Sequence, residues 1–294
     1  MATPRVVVVH RTTQYDEVIA RHGTRGQAAF FLHTRSQSLD AVQERHRLTV
    51  RAIRAVDSAI PVEWRRARVE RADLPAFVFG PDDVIVVVGQ DGLVANLAKY
   101  LHDQPVIGID PLPGVNAGVL VPHPPQAAAD LLHGAVTGRG QIVERTMVQA
   151  DSDDGQHLIA LNEIYIGQPT HQSARYRLRA DGIEERQSSS GIIVATGTGS
   201  TGWCRSIQRI QAPRMPLPEP ADPRLIWFVR EPWPSPSTGA ELLSGTLTDS
   251  HLTVHVESDS LVTFGDGIEA DRITLGWGQE LRIHRAGRVL RTLR

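Results

Sequence analysis

One carboxylate lies inside a glycine-bearing turn, Gly89-Gln90-Asp91-Gly92. The turn follows a β-branched run, Asp83–Val88, and precedes a helical pattern over Leu93–Leu101. Ligands of open α/β sheets bind beyond the carboxyl ends of the strands, where a glycine turn lets backbone N–H groups approach a phosphate. A carboxylate there would repel phosphate, so we expect Asp91 to accept a proton from an attacking hydroxyl or to direct Mg²⁺. The alternative is that Asp91 only caps the helix while the glycines shape a tight turn.

A second candidate is the polar pair Asn162-Glu163, which interrupts the apolar run Leu158–Ile166. Adjacent residues of a strand point to opposite faces, so both side chains cannot be buried in one core. Either the strand ends there, or one of the two side chains faces a polar ligand. A Glu and an Asn together can bind ribose hydroxyls or an amide, whereas the simpler alternative is an exposed edge position.

A third candidate is the loop Thr196-Gly197-Thr198-Gly199-Ser200-Thr201-Gly202-Trp203, which follows the apolar run Gly191–Ala195. Its hydroxyls and accessible backbone N–H groups can bind a phosphate or a nucleotide ring. A flexible loop of turn-forming residues is the alternative. Because Trp203 and a helix-like segment, Cys204–Ile210, follow at once, we favour binding.

The elements that must position these residues differ between the two halves of the chain. The first half alternates strand and helix patterns, which predicts an α/β domain with a doubly wound parallel sheet over residues 1–124. After residue 124, short strand patterns separated by turn pairs such as Asp154-Gly155, Asp181-Gly182 and Asp266-Gly267 predict a β-rich domain over residues 125–287. Residues 288–294 form a C-terminal segment that can return to the first domain.

The patterns give approximate bounds for these elements. The predicted helices are Ser38–Val56 and Leu93–Leu101, and the stretches Ala212–Pro223 and Glu231–Gly239 are expected to be exposed loops. The predicted strands are Arg5–His10, Asp83–Val88, Pro105–Ile109, Gln141–Val148, His157–Ile166, Arg175–Ala180, Gly191–Ala195, Leu225–Val229, Thr246–Leu247, Leu252–Val256 and Leu281–His284.

Composition excludes several classes of protein. The 294 residues are 41% hydrophobic and 22% charged, as in globular proteins, and a net charge of -2 argues against a general nucleic-acid binder or a membrane-surface protein. The single cysteine, Cys204, excludes a disulfide framework, and the 12 histidines show no metal-ligand spacing, so we predict no structural metal. No apolar run approaches the roughly 20 residues of a membrane span, and the start lacks a signal-peptide pattern. We therefore expect a cytoplasmic protein.

The three candidate segments occur in the order found in NAD kinases, and the chain resembles that family over roughly residues 80 to 270. The matching segments read VVVGQDG, ALNEIYI and VATGTGSTGWCRSI, while VIGIDPLPGVNAGV and IWFVREP are similar to the mitochondrial-type branch. The resemblance implies the fold shared by NAD kinases and diacylglycerol kinases. It also implies ATP as phosphoryl donor with Mg²⁺, NAD or a related nucleotide as substrate, and assembly as a homodimer or homotetramer.

The resemblance also implies a role for each matched position. Asp91 would be the general base on the adenosine 2′-hydroxyl of NAD, within a phosphate loop formed with Gly89, Gln90 and Gly92. Trp203 would close the substrate site. The implied substrate-binding residues are Asp110, Asn162, Glu163, Thr196, Thr198, Gly199, Ser200, Thr201 and Trp203.

The chain departs from the family pattern at three positions. Gln90 stands where the family has its second glycine, and a φ above 0° or a close approach to phosphate there would make Gln strained or obstructive. Leu93 replaces the usual Thr, and Asp110 stands where the family often has Asn. Two alternatives therefore stay open: a kinase of the same fold that acts on a nucleoside, sugar or lipid hydroxyl, and a noncatalytic NAD(P)-binding sensor.

Overall fold

The computed structural model describes residues 3–115, 118–210 and 215–294. The chain divides into two compact units, of which the first contains the residues up to Val143 together with Arg291–Arg294. The second unit is Glu144–Leu290. Asp91 therefore belongs to the first unit, and Asn162 and the loop at 196–203 belong to the second.

Parallel strands in the order β2-β1-β3-β4 form the centre of the first unit. The strands are β1 (Arg5–His10), β2 (Arg65–Glu70), β3 (Asp83–Val88) and β4 (Val106–Ile109). The helices are α1 (Gln14–His22), α2 (Arg25–His33), α3 (Leu39–Ala59), α4 (Asp91–Ala98) and α5 (Ala128–Thr137). β3 and β4 are buried along their whole length, which explains their continuous apolar sequences. The predicted doubly wound parallel sheet is confirmed.

The strand order changes direction between β1 and β3. The chain runs from β1 to β2 on one side, and then continues through β3 and β4 on the other side. In open parallel sheets, ligands bind beyond the carboxyl ends of the strands at such a switch point. The turn Gly89–Gly92 directly follows β3, so the fold puts it at this position.

The first unit extends beyond residue 124. α5 contacts β3 and β4, and its buried residues Ala128 and Leu132 share a hydrophobic core with Val86 and Ile107. The sequence pattern predicted that this stretch belongs to the β-rich domain, but the apolar face of α5 packs against the parallel sheet. Near the end of the chain, Thr292 pairs with Val106 of β4.

Antiparallel strands make up the second unit, which confirms the prediction of a β-rich domain. One sheet has the order β12-β11-β10-β7-β14-β15, while β8 pairs with β9 and β13, β13 with β16, and β5 with β6. A shared core includes the buried side chains of Tyr176 and Trp227. The strands are β5 (Ile142–Ser152), β6 (His157–Ala160), β7 (Glu163–Gly167), β8 (Ala174–Ala180), β9 (Ile183–Ser189), β10 (Ile192–Ala195), β11 (Leu225–Val229), β12 (Ser244–Leu247), β13 (Leu252–Val256), β14 (Ser260–Gly265), β15 (Ile273–Gly276) and β16 (Glu280–Leu293).

Two local predictions for the second unit need correction. The expected strand His157–Ile166 is two strands, β6 and β7, with Leu161 and Asn162 between them. The expected loop after β10 is a short helical turn, Gly199–Thr201, which continues into α6 (Trp203–Gln208). Part of the expected loop Ala212–Pro223 lies outside the described residues. Across the described parts of the chain, no helix combines the length and apolar sequence needed to cross a membrane.

Candidate functional site

The acidic turn has ordinary backbone geometry. Gln90 is the N-cap of α4, with φ -110° and ψ 165°, and its side chain is exposed. Extended backbone of this kind suits any residue, so the backbone at Gln90 does not need the φ above 0° that would have strained it. A Cβ added at Gly92 would meet nothing within 4 Å, whereas one at Gly89 would lie 3.0 Å from the side chain of Leu93.

Asp91 is the first residue of α4, and its carboxylate binds a different segment of the first unit. Oδ1 accepts N–H groups from Leu120 and Val121 at 2.8 and 3.2 Å, and Oδ2 accepts the N–H of Val119 at 3.0 Å. The capping alternative for Asp91 is therefore wrong, because these three bonds hold the segment 119–121 against the turn. The same segment passes directly over Gly108, where an added Cβ would overlap the carbonyl oxygen of Leu120.

Asp110 lies at the end of β4 and is buried. Its Oδ1 accepts the N–H of Leu112 at 2.8 Å, and its own N–H donates to the carbonyl of His123 at 2.8 Å. One carboxylate oxygen of Asp110 lies near Gly118, one residue before the segment that Asp91 holds. The two candidate carboxylates of the first unit thus fix neighbouring parts of the same connection, in which Asn116 and Ala117 lie outside the described residues.

In the second unit, Asp266 holds the gap between β6 and β7, although its sequence context, Asp266-Gly267, predicted only a turn. Asp266 accepts the N–H groups of Leu161 and Asn162 at 2.9 and 2.6 Å, and its own N–H donates to the carbonyl of Glu163 at 3.0 Å. Its φ of 52° is rare for a residue other than glycine. These bonds replace the strand ladder at Asn162, which is why the strand stops there.

Thr196 connects this gap to the loop after β10. Its hydroxyl donates to the carbonyl of Leu161 at 2.6 Å, and its N–H donates to the carbonyl of Asn162 at 2.9 Å. The hydroxyl oxygen also accepts the N–H groups of Thr198 and Gly199 at 3.1 and 3.3 Å. A Cβ at Gly199 would overlap the carbonyl oxygen of Asn162, so glycine is required for this close approach. Asn162, Thr196, Thr198 and Gly199 are therefore in one cluster.

The hydroxyls of the loop have different environments. Ser200 is buried, and its hydroxyl lies within hydrogen-bond distance of the carbonyls of Gly197 and Pro218, at 2.9 and 3.2 Å. Thr201 is exposed. The hydroxyl oxygen of Thr198 is buried and has no hydrogen-bond partner among the described residues. Buried hydroxyls normally have a partner, so Thr198 is a group that a ligand could satisfy.

Glu163 has an unusual carboxyl group. Burial, and after it the nearby charge of Asp266, raises the pKa of Glu163 to about 7. Burial and then the charge of Glu163 raise the pKa of the neighbouring Cys204 thiol to about 12, so this thiol is not a nucleophile at neutral pH. A carboxyl group that is half protonated near pH 7 can donate one hydrogen bond as well as accept others.

Trp203 stacks within a row of aromatic side chains. Its ring lies 5.7 Å from that of Tyr165 at an interplanar angle of 14°, and the ring of Phe264 lies 5.0 Å from that of Tyr165. The guanidinium of Arg230 lies 4.9 Å from the centre of the Trp203 ring. The Tyr165 hydroxyl donates to the carbonyl of Ser190 at 3.1 Å. Tyr165 and Arg230 were missed from the sequence, although both lie in segments quoted for the family resemblance.

The structure thus forms two groups of candidate residues, one in each unit. The group in the first unit is Gly89, Gln90, Asp91, Gly92 and Asp110. The group in the second unit is Asn162, Glu163, Thr196, Thr198, Gly199, Ser200, Thr201 and Trp203. Asp266 also belongs to this second group, because it accepts the N–H of Asn162. The described residues contain no cluster of three or more His, Cys, Asp or Glu side chains that could hold a metal ion.

Comparisons with known proteins give partial sequence matches. No protein-family model matches the chain. The NAD kinase of Rickettsia bellii is 32% identical over 127 residues, which are 41% of this chain and 48% of the relative. The NAD kinase of Psychrobacter arcticus is 33% identical over 133 residues, 42% of this chain and 40% of the relative. The match thus spans about half of the length of these curated relatives, or less.

Solved structures resemble almost the whole chain. An NAD kinase from Archaeoglobus fulgidus in complex with ATP gives a TM-score of 0.61 at 20% identity, covering 99% of this chain and 93% of that one. Yeast NADH kinase complexed with NADH gives a TM-score of 0.61 at 15% identity, covering 100% of this chain and 84% of that one. At such identities the likeness shows the fold alone. Over the matched stretch the chain is similar in sequence to NAD kinases, and over almost its whole length it shares their fold.

Proposed function

We propose that this protein transfers a phosphoryl group from ATP to the adenosine 2′-hydroxyl of NAD, giving NADP, with Asp91 as the general base. The main supporting observation is the way Asp91 is held. Three backbone N–H groups fix its carboxylate at the start of α4, beyond the carboxyl end of β3. Positioning of this kind is most of what phosphoryl transfer requires of a protein.

The carboxylate of Asp91 keeps acceptor capacity in this arrangement. Oδ1 accepts two N–H groups, whereas Oδ2 accepts one, from the exposed residue Val119. Each carboxylate oxygen has two lone pairs, so Oδ2 can still accept the proton of a substrate hydroxyl. Gly92 leaves open space beside the turn, and Gln90 points to solvent, so neither obstructs an approaching phosphate.

The second group of residues supports binding of a nucleotide. Thr198 offers a buried hydroxyl that lacks a partner among the described residues, and Glu163 can donate and accept hydrogen bonds near neutral pH because its pKa is raised to about 7. Ribose hydroxyls and an amide are groups that such a pair recognises. The stack of Trp203 on Tyr165 gives an apolar surface beside these polar groups.

Mg²⁺ fits this site only as a partner of the nucleotide. The described residues offer Asp91 in the turn, but no set of three acidic or imidazole ligands. Magnesium binds ATP through phosphate oxygens and keeps several waters, with one or two protein carboxylates at most. When bound, the ion would neutralise phosphate charge.

Assembly as a homodimer or homotetramer in the cytoplasm is also part of the proposal and follows from the family resemblance alone.

The proposal is tested by incubating the purified protein with NAD, ATP and Mg²⁺ and measuring NADP. We expect NADP to form, and Asp91→Asn to abolish its formation. A thermal-shift screen of dinucleotides, nucleosides and sugars tests the alternative of a kinase for another hydroxyl. Stabilisation by a nucleoside or sugar, but not by NAD or NADP, would favour that alternative. Tight NAD binding without turnover by any phosphoryl donor would favour a sensor.

A further inference from the structure

A histidine of β16 contacts acceptors through both of its ring nitrogens. Nε2 of His284 lies 2.7 Å from Oδ2 of Asp151 on β5, and Nδ1 lies 2.8 Å from the carbonyl oxygen of Arg285. A carboxylate and a backbone carbonyl only accept hydrogen bonds. A neutral imidazole carries a single N–H and can satisfy one of these contacts, whereas an imidazolium donates to both. The geometry therefore requires a proton on each ring nitrogen of His284.

The partner carboxyl group is held in its ionised form. Burial acts to raise the pKa of Asp151, but hydrogen bonds from Gln149 and His284, together with the charges of His284 and His157, outweigh burial and lower this pKa. Oδ1 of Asp151 accepts the side-chain amide of Gln149 at 2.8 Å, while Oδ2 faces His284. Asp151 is therefore an acceptor toward His284 and not a donor.

The pair lies where β16 changes its inside–outside alternation. The buried positions of this strand are 281 and 283, and then 286 and 290. The alternation thus slips by one residue at His284 and Arg285, as it does at a β-bulge, where the ladder is locally disrupted. The pairs between β13 and β16 end at Ile283, opposite Leu252. His284 therefore bonds the carbonyl of Arg285 at the slip itself, and Asp151 connects the slip to β5.

Two surface depressions meet at this pair. One has a volume of about 470 Å³ and the other of about 530 Å³, and Asp151 lines both of them. The charged or ionisable residues that surround the pair from β6, from β16 and from the turn after β12 are His157, Asp249, His251, Arg282, Arg285 and Arg288. Of these, Arg285 pairs with Asp249, and Arg282 pairs with Glu280. Because other ionisable groups are so close, a comparison of variants is needed to isolate His284.

We propose that His284 and Asp151 form a proton-dependent clamp on the slip in β16. The imidazolium ties β16 to β5, and loss of its proton breaks one of the two bonds and opens the clamp. The stabilisation that a histidine gains from such partners is present at low pH and is lost as pH rises through the titration of the folded protein. The contribution of Asp151, whose pKa is lowered, is lost instead as pH falls through that pKa. This clamp does not depend on the proposed kinase activity.

¹⁵N NMR of the histidine rings in the full chain tests the protonation directly. At about pH 7.5, roughly one unit above the ordinary histidine titration, His284 should carry protons on both ring nitrogens. In Asp151→Asn at the same pH, the ring should carry a single proton, because the charge that favours the imidazolium is gone. A single ring proton on wild-type His284, or an unchanged doubly protonated ring in Asp151→Asn, would overturn the proposal.

Hydrogen–deuterium exchange, corrected for the intrinsic rate at each pH, measures the opening of the clamp. Between about pH 6 and about pH 8.5, on either side of the ordinary histidine titration, protection of residues 149–152 and 284–287 should fall in the wild type. We expect a fall of about three- to tenfold, because solvent screens a pair whose side chains are 35% and 39% exposed.

His284→Gln should remove this pH dependence, because an amide side chain does not titrate. His255→Gln is the matched control: His255 lies half-buried on the neighbouring strand β13, opposite Glu280, and its replacement should keep the wild-type response. The same fall in His284→Gln as in the wild type, a response that is lost equally in His255→Gln, or constant protection in the wild type would each contradict the clamp.

Discussion

Replacing Asp91 by Asn should reduce both turnover and stability, and the structure separates the two effects. The amide can keep its oxygen toward Leu120 and Val121, but its NH₂ group then faces the N–H of Val119, so that bond is lost. The two remaining bonds lose their charge assistance. Since a hydrogen bond to a charged group contributes about 1.5–3 kcal/mol and a neutral one about 1, we expect the free energy of unfolding to fall by about 2.5–7 kcal/mol.

The catalytic effect of Asp91→Asn should be much larger than the stability effect explains. General base catalysis contributes about 100- to 10,000-fold, so kcat should fall by that factor even where the variant is fully folded. Turnover is measured as NADP formation at low temperature, and urea unfolding followed by circular dichroism gives the stability at the same temperature.

Asp83→Asn is the matched control for Asp91→Asn. Asp83 lies at the opposite end of β3, accepts the N–H of Gly80 at 2.7 Å and pairs with Arg5 at 2.6 Å. Its replacement should destabilise the same unit, yet leave kcat of the folded protein within about threefold of wild type, because this carboxylate is remote from the turn. A similar loss of kcat in both variants, or full activity in Asp91→Asn, would refute the reasoning about Asp91.

Three further predictions concern stability and are checked by urea unfolding. The pKa of Glu163 is raised to about 7 in the folded protein. The protonated carboxyl therefore stabilises the fold fully below about pH 4.5, and this stabilisation is lost as pH rises through 7. At about 1.4 kcal/mol per pH unit, the free energy of unfolding should fall by about 3 kcal/mol over this range. Glu163→Gln should flatten that fall, and an unchanged pH profile would contradict it. Gln90→Gly should change the free energy of unfolding by less than about 1 kcal/mol, because Gln90 is exposed with φ -110°; a gain of several kcal/mol would reveal strain. Gly199→Ala should lower the free energy of unfolding by more than about 3 kcal/mol, because the added Cβ would overlap the Asn162 carbonyl. Gly92→Ala should be neutral or stabilising, because a Cβ there meets open space. Equal effects of the two variants would contradict the close approach of Gly199 to Asn162.

Buried strands could be predicted from the sequence, and edge strands could not. β1, β3 and β11 appear as continuous β-branched or apolar runs because every residue, or almost every one, is covered. β2 was missed because its sequence, RRARVE, has one buried residue, Val69, and otherwise reads as a charged surface. α1 begins at a Thr N-cap, a signal that was present in the sequence but is short and easily overlooked.

The candidate site was predictable where its residues are local in sequence. The turn around Asp91 and the cluster at Thr196 follow strands directly, so strand prediction located them. The role of Asp266 was not predictable, because its bonds to Leu161 and Asn162 join residues about a hundred positions apart. The three bonds of Asp91 to the segment 119–121 were hidden for the same reason. Such contacts depend on the folded chain rather than on local pattern.

The most direct measurement is the position of the phosphate on the product. The protein is incubated with NAD, ATP and Mg²⁺, and the purified dinucleotide is examined by ³¹P NMR. The account predicts a phosphomonoester on the adenosine 2′-hydroxyl in the wild type and none with Asp91→Asn. A phosphate on another hydroxyl, or unphosphorylated NAD with every phosphoryl donor despite measurable NAD binding, would contradict it.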